Sequence, residues 1–258
     1  MSIKNKSDEF LRLCEIESYR SCGEVSEGIG IYNEKRLHRV LKRTVCDDED
    51  RFEVKVGKYV ADVLCDGRIT EIQCGPLLPL RQKLEYYLAS TEHEICVIHP
   101  LVSKKRIIRA ERESGEILRM RASAKKEDRW SALAALYPVR ELLGGDRIEF
   151  CFPLIEVEEY RFSEKQRYRK KGAYDSESFP VALEGELVLR RQSDFLQFIP
   201  SGLAATLDRE GRAEFSASDF APYTSLRGRD VYSALNVLSA TGVIERKKEG
   251  RSVKYLLK

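Results

Sequence analysis

The chain is expected to be an α/β protein: helix, three-stranded meander, helix and strand, followed by a small C-terminal unit of different character. Three observations lead there. Residues 52–73 alternate apolar and polar around two turn signals, Gly57-Lys58 and Asp66-Gly67, the pattern of successive hairpins. Apolar residues recur at helical spacing on either side, in 34–43 and 77–90. After residue 200 the pattern changes to short helical stretches and a basic, alternating hairpin. With 258 residues, two domains are expected.

Composition narrows the class. Charged residues make up 34% and hydrophobic ones 42%, an ordinary balance for a soluble chain. The formal net charge is only +3, so a nucleic-acid surface has to come from local clustering. No apolar run approaches the ~20 residues that span a bilayer, and the first residues lack an apolar signal core. The seven cysteines never stand in Cys-x-x-Cys spacing, which fits thiols in a reducing cytoplasm. Three histidines, His38, His93 and His99, show no metal-ligand spacing. Zinc is not expected.

Taken in order, residues 1–20 read as a helix and 21–30 as a Gly- and Ser-rich loop. Asn33 is a good N-cap for a helix over 34–43 with Leu37, Val40 and Leu41 as its apolar stripe. Glu34 shares that inward face. It is either a first-turn acid favoured by the helix dipole or a group aimed at a site, the reading preferred because an inward carboxylate needs a partner. Strands are expected over 52–56, 59–64 and 68–73. The two-residue Asp66-Gly67 loop sets Cys65 against Arg68, Leu64 against Ile69, Val63 against Thr70 and Asp62 against Glu71. Opposed carboxylates repel. They are tolerated on a solvated face, or with a cation between them. Gln73 points to the same side as Glu71.

Gly75-Pro76 ends this strand, and residues 77–90 read as an amphipathic helix on which Gln82 and Tyr86 stand one turn apart. Residues 94–102 are nearly all apolar, as in a strand buried on both faces. A hairpin tip is expected at 113–116, a helix over 130–143, and a strand over 148–157 with an edge or bulge at Pro153. Residues 161–171 then gather Arg167, Arg169, Lys170 and Lys171 around Tyr168. Such a run suits phosphate contact with base stacking, or a solvated charged linker. Toward the C-terminus, Ser216 or Ser218 caps a short helix through Phe220, residues 228–240 form a second helix ended by Gly242, and 243–257 form a hairpin.

The acid, hairpin and Glu-x-Gln of residues 62–73 resemble the PD-(D/E)xK, restriction-endonuclease-like superfamily over residues 30–102, and the Gln82-x-x-x-Tyr86 element is similar to its RecB-like branch. Residues 200–258 resemble a winged helix-turn-helix. These resemblances imply an organisation of a nuclease-like domain (1–160), a basic linker (161–199) and a winged helix (200–258). They further imply Mg²⁺ or Mn²⁺ held by Asp62 and Glu71 with Glu34 as a third ligand, and a catalytic set completed by Gln73, Gln82 and Tyr86. Where the family usually carries lysine this chain has Gln73, and Lys83 on the following helix is the candidate substitute. In the winged helix, Arg227, Arg229 and Tyr232 would enter the major groove while Lys247, Lys248 and Arg251 meet the backbone.

The expected function is metal-dependent hydrolysis of DNA phosphodiester bonds in the cytoplasm, on duplex in preference to single strands, by a protein that could act as a homodimer. The alternatives are a DNA-binding protein whose nuclease domain no longer cuts, and a transcriptional regulator. A winged helix used for protein contacts is the other reading of the C-terminal unit.

Overall fold

In the computed structural model residues 3–21, 29–111, 114–163, 175–250 and 252–258 are described, the side chains of 4, 18–21, 29–35, 163, 175 and 249 excepted. Two helices come first, α1 (Ser7–Ser21) and α2 (Ile29–Val45). Asn33 therefore lies inside α2 and does not cap it. Nothing in residues 29–33 breaks a helix outright, since one interior glycine costs only about 1 kcal/mol.

The predicted meander follows as β1 (Phe52–Val56), β2 (Tyr59–Cys65) and β3 (Arg68–Ile72). Asp66 and Gly67 have φ of 51° and 75°, as a two-residue turn with both residues left-handed requires. Gly57 (φ 61°) turns β1 into β2, and a Cβ there would stand 2.0 Å from the Tyr86 hydroxyl. Gly57→Ala should therefore destabilise the chain by about 2 kcal/mol, from the positive φ and the clash together. Urea denaturation measures it, and an unchanged midpoint would reject this turn geometry.

After a 3₁₀ turn come α3 (Arg81–Ser90), β4 (Glu94–Ile98) and β5 (Leu101–Glu111). The single strand expected over 94–102 is thus two, broken at His99-Pro100. β6 (Ile117–Ala122) closes the predicted hairpin with β5. The helix expected over 130–143 is α4 (Arg129–Ala135) plus a 3₁₀ turn that begins beside Pro138. β7 (Ile148–Ser163) pairs in parallel with β4 through its first residues and with β5 through the rest.

Residues 175–198, expected within a basic linker, are instead built into the fold. β8 (Asp175–Leu189) runs antiparallel to β7 from Phe150↔Leu189 to Phe162↔Asp175. Its alternation is interrupted by two register shifts, one beside Pro180, where a bulge tolerates a residue without an N–H. Because β8 occupies one side of β7 throughout, β4 and β5 lie end to end along the other. Pro153 falls at their junction: Cys151 gives its carbonyl to the His99 N–H (2.8 Å), so Pro153, two residues on, faces the same side where no partner is lost. β3, β4, β5 and β7 are parallel in a sheet of eight strands.

Each face has its own core. On one, Ile72, Cys96, Ile98 and Ile155 lie under Phe10 of α1 and Leu41 of α2. On the other, Ile69, Val97 and Phe150 meet Leu84 of α3 and Leu133 of α4, and this core continues without a gap into the C-terminal unit. The Trp130 ring stands edge-on to Phe198 and Phe220, both at 5.7 Å. That unit comprises α5 (Ser201–Arg209), β9 (Glu214–Phe215), α6 (Ala217–Phe220), α7 (Arg229–Ala240), β10 (Ile244–Glu249) and β11 (Ser252–Leu257). Its strands form an antiparallel sheet ordered β10-β11-β9. Ser216 caps α6 by accepting the Asp219 N–H, and Gly242 (φ 74°) follows α7 as expected. Among the described residues no helix is long and apolar enough to cross a membrane.

Candidate active site

The β2–β3 ladder has the expected register, Cys65↔Arg68, Leu64↔Ile69 and Val63↔Thr70. At the next step side-chain chemistry takes over. Asp62 Oδ2 accepts the Ile72 N–H at 2.7 Å and lies 3.3 Å from His38 Nε2 on α2. Glu71 is almost fully buried. Its Oε2 accepts from Lys83 Nζ at 2.5 Å and its Oε1 from the Tyr87 hydroxyl at 3.3 Å. The cluster therefore joins α2, β2, β3 and α3 where β3 ends.

The two carboxylates are held in different states. Burial opposes ionisation of Asp62, but the His38 and Ile72 hydrogen bonds, the His38 charge and Lys83 outweigh it and its pKa is lowered. Glu71 is pushed up to about 7, first by burial and then by the neighbouring Asp62 charge, with Lys83 and Tyr87 offsetting only part. Burial and the Glu71 charge raise the Tyr87 phenol, which stays a neutral donor. A proton thus resides at Glu71 near neutrality, in the field of an ionised Asp62.

At the rim, Glu53 stands across from Asp62, between the Phe52↔Val63 and Val54↔Ala61 pairs. Its φ is 52°, a conformation costing a non-glycine residue about 1–2 kcal/mol. Its carboxylate is paired with Lys42 on α2.

Asp62, Glu71 and Lys83 are thus brought together. Tyr86 is not the aromatic at Glu71; that place belongs to Tyr87. The Tyr86 ring meets Tyr59 at 5.3 Å and the Lys58 ammonium at 4.9 Å, over the β1–β2 turn. Gln82, on the same side of the helix as Tyr86, is exposed. The difference is one of azimuth: α3 buries Leu84 and Tyr87, so the turn formed by Lys83 and Tyr87 faces β3. Gln73 donates its amide to Pro76 O at 3.0 Å within its own turn, and its carbonyl meets His99 Nδ1 at 2.6 Å. Glu34 lies on α2 one turn before His38, but its side chain is outside the described residues.

Two site residues were missed in the sequence. Tyr87 falls within the amphipathic pattern of residues 77–90, which marks it only as apolar. His38 carried a usable signal: four residues after Glu34, it shares that residue's helix face.

Of the expected nucleic-acid contacts, Arg167, Arg169, Lys170, Lys171 and Arg251 lie outside the described residues. Arg227 turns its guanidinium back to Leu226 O at 2.7 Å. Arg229 and Tyr232 are exposed on the first turn of α7, Lys248 is exposed on β10, and Lys247 pairs with Glu214 at 3.3 Å. Among the described residues, no three His, Cys, Asp or Glu side chains converge as a metal site.

Fold and site define a class: a mixed α/β protein with two unlike carboxylates and a lysine at the end of a parallel strand. The chain belongs to the family described as a domain of unknown function, DUF8091, whose model matches residues 35–190. That span opens in α2, closes at the end of β8 and holds His38, Asp62, Glu71, Lys83 and Tyr87. No curated protein and no solved structure matches the chain.

Proposed function

We propose that this protein is a metal-dependent phosphodiester hydrolase of the PD-(D/E)xK type, acting on DNA held by a C-terminal winged helix. The observation that carries the reading is Glu71: a buried carboxylate, raised to about 7, between the Asp62 charge and the Lys83 ammonium. Such a group keeps a proton only until a better cation replaces it. Hard carboxylate oxygens suit Mg²⁺ or Mn²⁺, and Asp62 and Glu71 would hold the ion, with Glu34 on the adjoining helix as the further acid. The ion supplies Lewis acidity and a water of lowered pKa.

The chain's own groups do the rest. His38 and the Ile72 N–H orient Asp62, and Tyr87 orients Glu71. Lys83, the cation beside Glu71, would meet a non-bridging phosphate oxygen and stabilise charge developing there. The helix, strand, helix, helix and hairpin order after residue 200, with Arg229, Tyr232 and Lys248 exposed, supports the winged-helix reading and groove contact by α7.

A second reading, binding without cleavage, is favoured by Gln73, whose amide is committed to Pro76. Incubation of plasmid, linear duplex, single-stranded DNA and RNA with Mg²⁺ or Mn²⁺ separates the two. Cleavage by the wild type that is lost in Asp62→Ala supports hydrolysis. Duplex binding that persists in Asp62→Ala, without cleavage by either protein, supports the second reading.

A further inference from the structure

The sheet extension beyond β4 carries arginines in register across three adjacent strands. Arg109 of β5 is the direct partner of Arg119 of β6 and of Arg161 of β7, and Arg121, two residues along β6, faces Ile107. These four arginines and Ile107 line a concavity of about 40 Å³, room for roughly three waters or for the oxygens of one phosphate. Like charges opposed across a sheet repel. Glu159 brings countercharge to this row, but it is shared between Lys105 and Arg161, the latter at 2.5 Å. Among the described residues, no acid is paired with Arg119 or Arg121. Arg119 and Arg121 stand on a strand exposed along its whole length.

We infer that this arginine row is a phosphodiester-binding site that holds nucleic acid along the sheet extension, a proposal resting on the reading of the protein as acting on DNA. Guanidinium forks match phosphate oxygens bidentately, and strands about 4.8 Å apart present them as a ladder rather than a point. The row, on β5, β6 and β7, lies in the same sheet as β2 and β3, which carry Asp62 and Glu71. Val97, partner of Glu71, and Ile107, partner of Arg121, are ten residues apart along β4 and β5, at most about 35 Å. At ~1.7 Å of duplex per phosphate charge this corresponds to about ten base pairs.

The test is fluorescence anisotropy in a chelator, so that cleavage plays no part, with a duplex and a single strand of about 24 positions, long enough to span both sites. Arg119→Ala/Arg121→Ala should bind about tenfold more weakly, with the slope of log affinity against log salt reduced by about two. Arg119→Lys/Arg121→Lys should keep the slope. Both positions are exposed, and circular dichroism verifies that the variants fold. Unchanged affinity and slope overturn the proposal, as does a wild type that binds neither probe. Competition by inorganic phosphate at concentrations matching the probe's phosphates would assign the row to a small anion and also overturn it. Because binding is read in a chelator, absence of cleavage leaves this result standing.

Discussion

Lys83→Met should lower metal-dependent cleavage about 10²–10³-fold, the loss usual for removing one preorganised donor to a developing negative charge. Lys83 is the cation in contact with Glu71, and methionine keeps its length and apolar stem without the charge. The variant should still bind the divalent ion, because the carboxylates remain. A lysine that only neutralised Glu71 would give a different signature. Its removal would push Glu71 further up and move the acid limb of the rate–pH profile, while the plateau rate stayed unchanged. The charge-conserving Lys83→Arg should keep part of the plateau in the proposed role. Single-turnover kinetics across pH distinguishes the two, and a full plateau rate in Lys83→Met would sink the assignment.

Glu71→Gln should make the metal-free protein more stable than the wild type above pH 7 and leave it similar near pH 5. The sign follows from a native pKa of about 7 against 4.5 for the free group. Below about pH 4.5 both native and unfolded states hold the proton. Between there and 7 the unfolded state releases it while the native state retains it, so stability falls as pH rises. Above 7 the loss is complete, about 3 kcal/mol at 1.36 kcal/mol per unit. Glutamine removes this term but leaves Lys83 without its partner, so the net gain at pH 8 should be about 1–2 kcal/mol. Denaturant midpoints at pH 5 and 8 measure it. Parallel behaviour of the two proteins would contradict a buried, destabilised carboxylate at this position.

How much of this was legible in the sequence depended on how local the determining physics is. Asp66-Gly67 dictates a two-residue turn by itself, and the register that brings Asp62 and Glu71 together follows by counting. The rotation of α3 about its axis does not follow by counting. Gln82 with Tyr86 and Lys83 with Tyr87 are equally spaced pairs, and only packing of Leu84 and Tyr87 against the sheet selects the second. β8 was hidden because its two register shifts break the alternation that marks a strand, and Pro180 reinforces the appearance of a loop. The arginine row was legible only in part. The hairpin tip expected at 113–116 brings Arg109 near Arg119, but Arg161 joins them only through the pairing of β5 with a strand some fifty residues on, which the broken 94–102 run concealed.

The measurement closest to the central claim is a calorimetric titration of Mn²⁺ into the wild type, Asp62→Asn and Glu71→Gln at pH 6 and pH 8, in buffers of different ionisation enthalpy. The account predicts binding by the wild type with release of about one proton at pH 6, the one Glu71 holds there, and little at pH 8. Both variants should lose most of the affinity. Mn²⁺ binding that is indifferent to both substitutions, or none by the wild type at either pH, would contradict a divalent-cation site at Asp62 and Glu71.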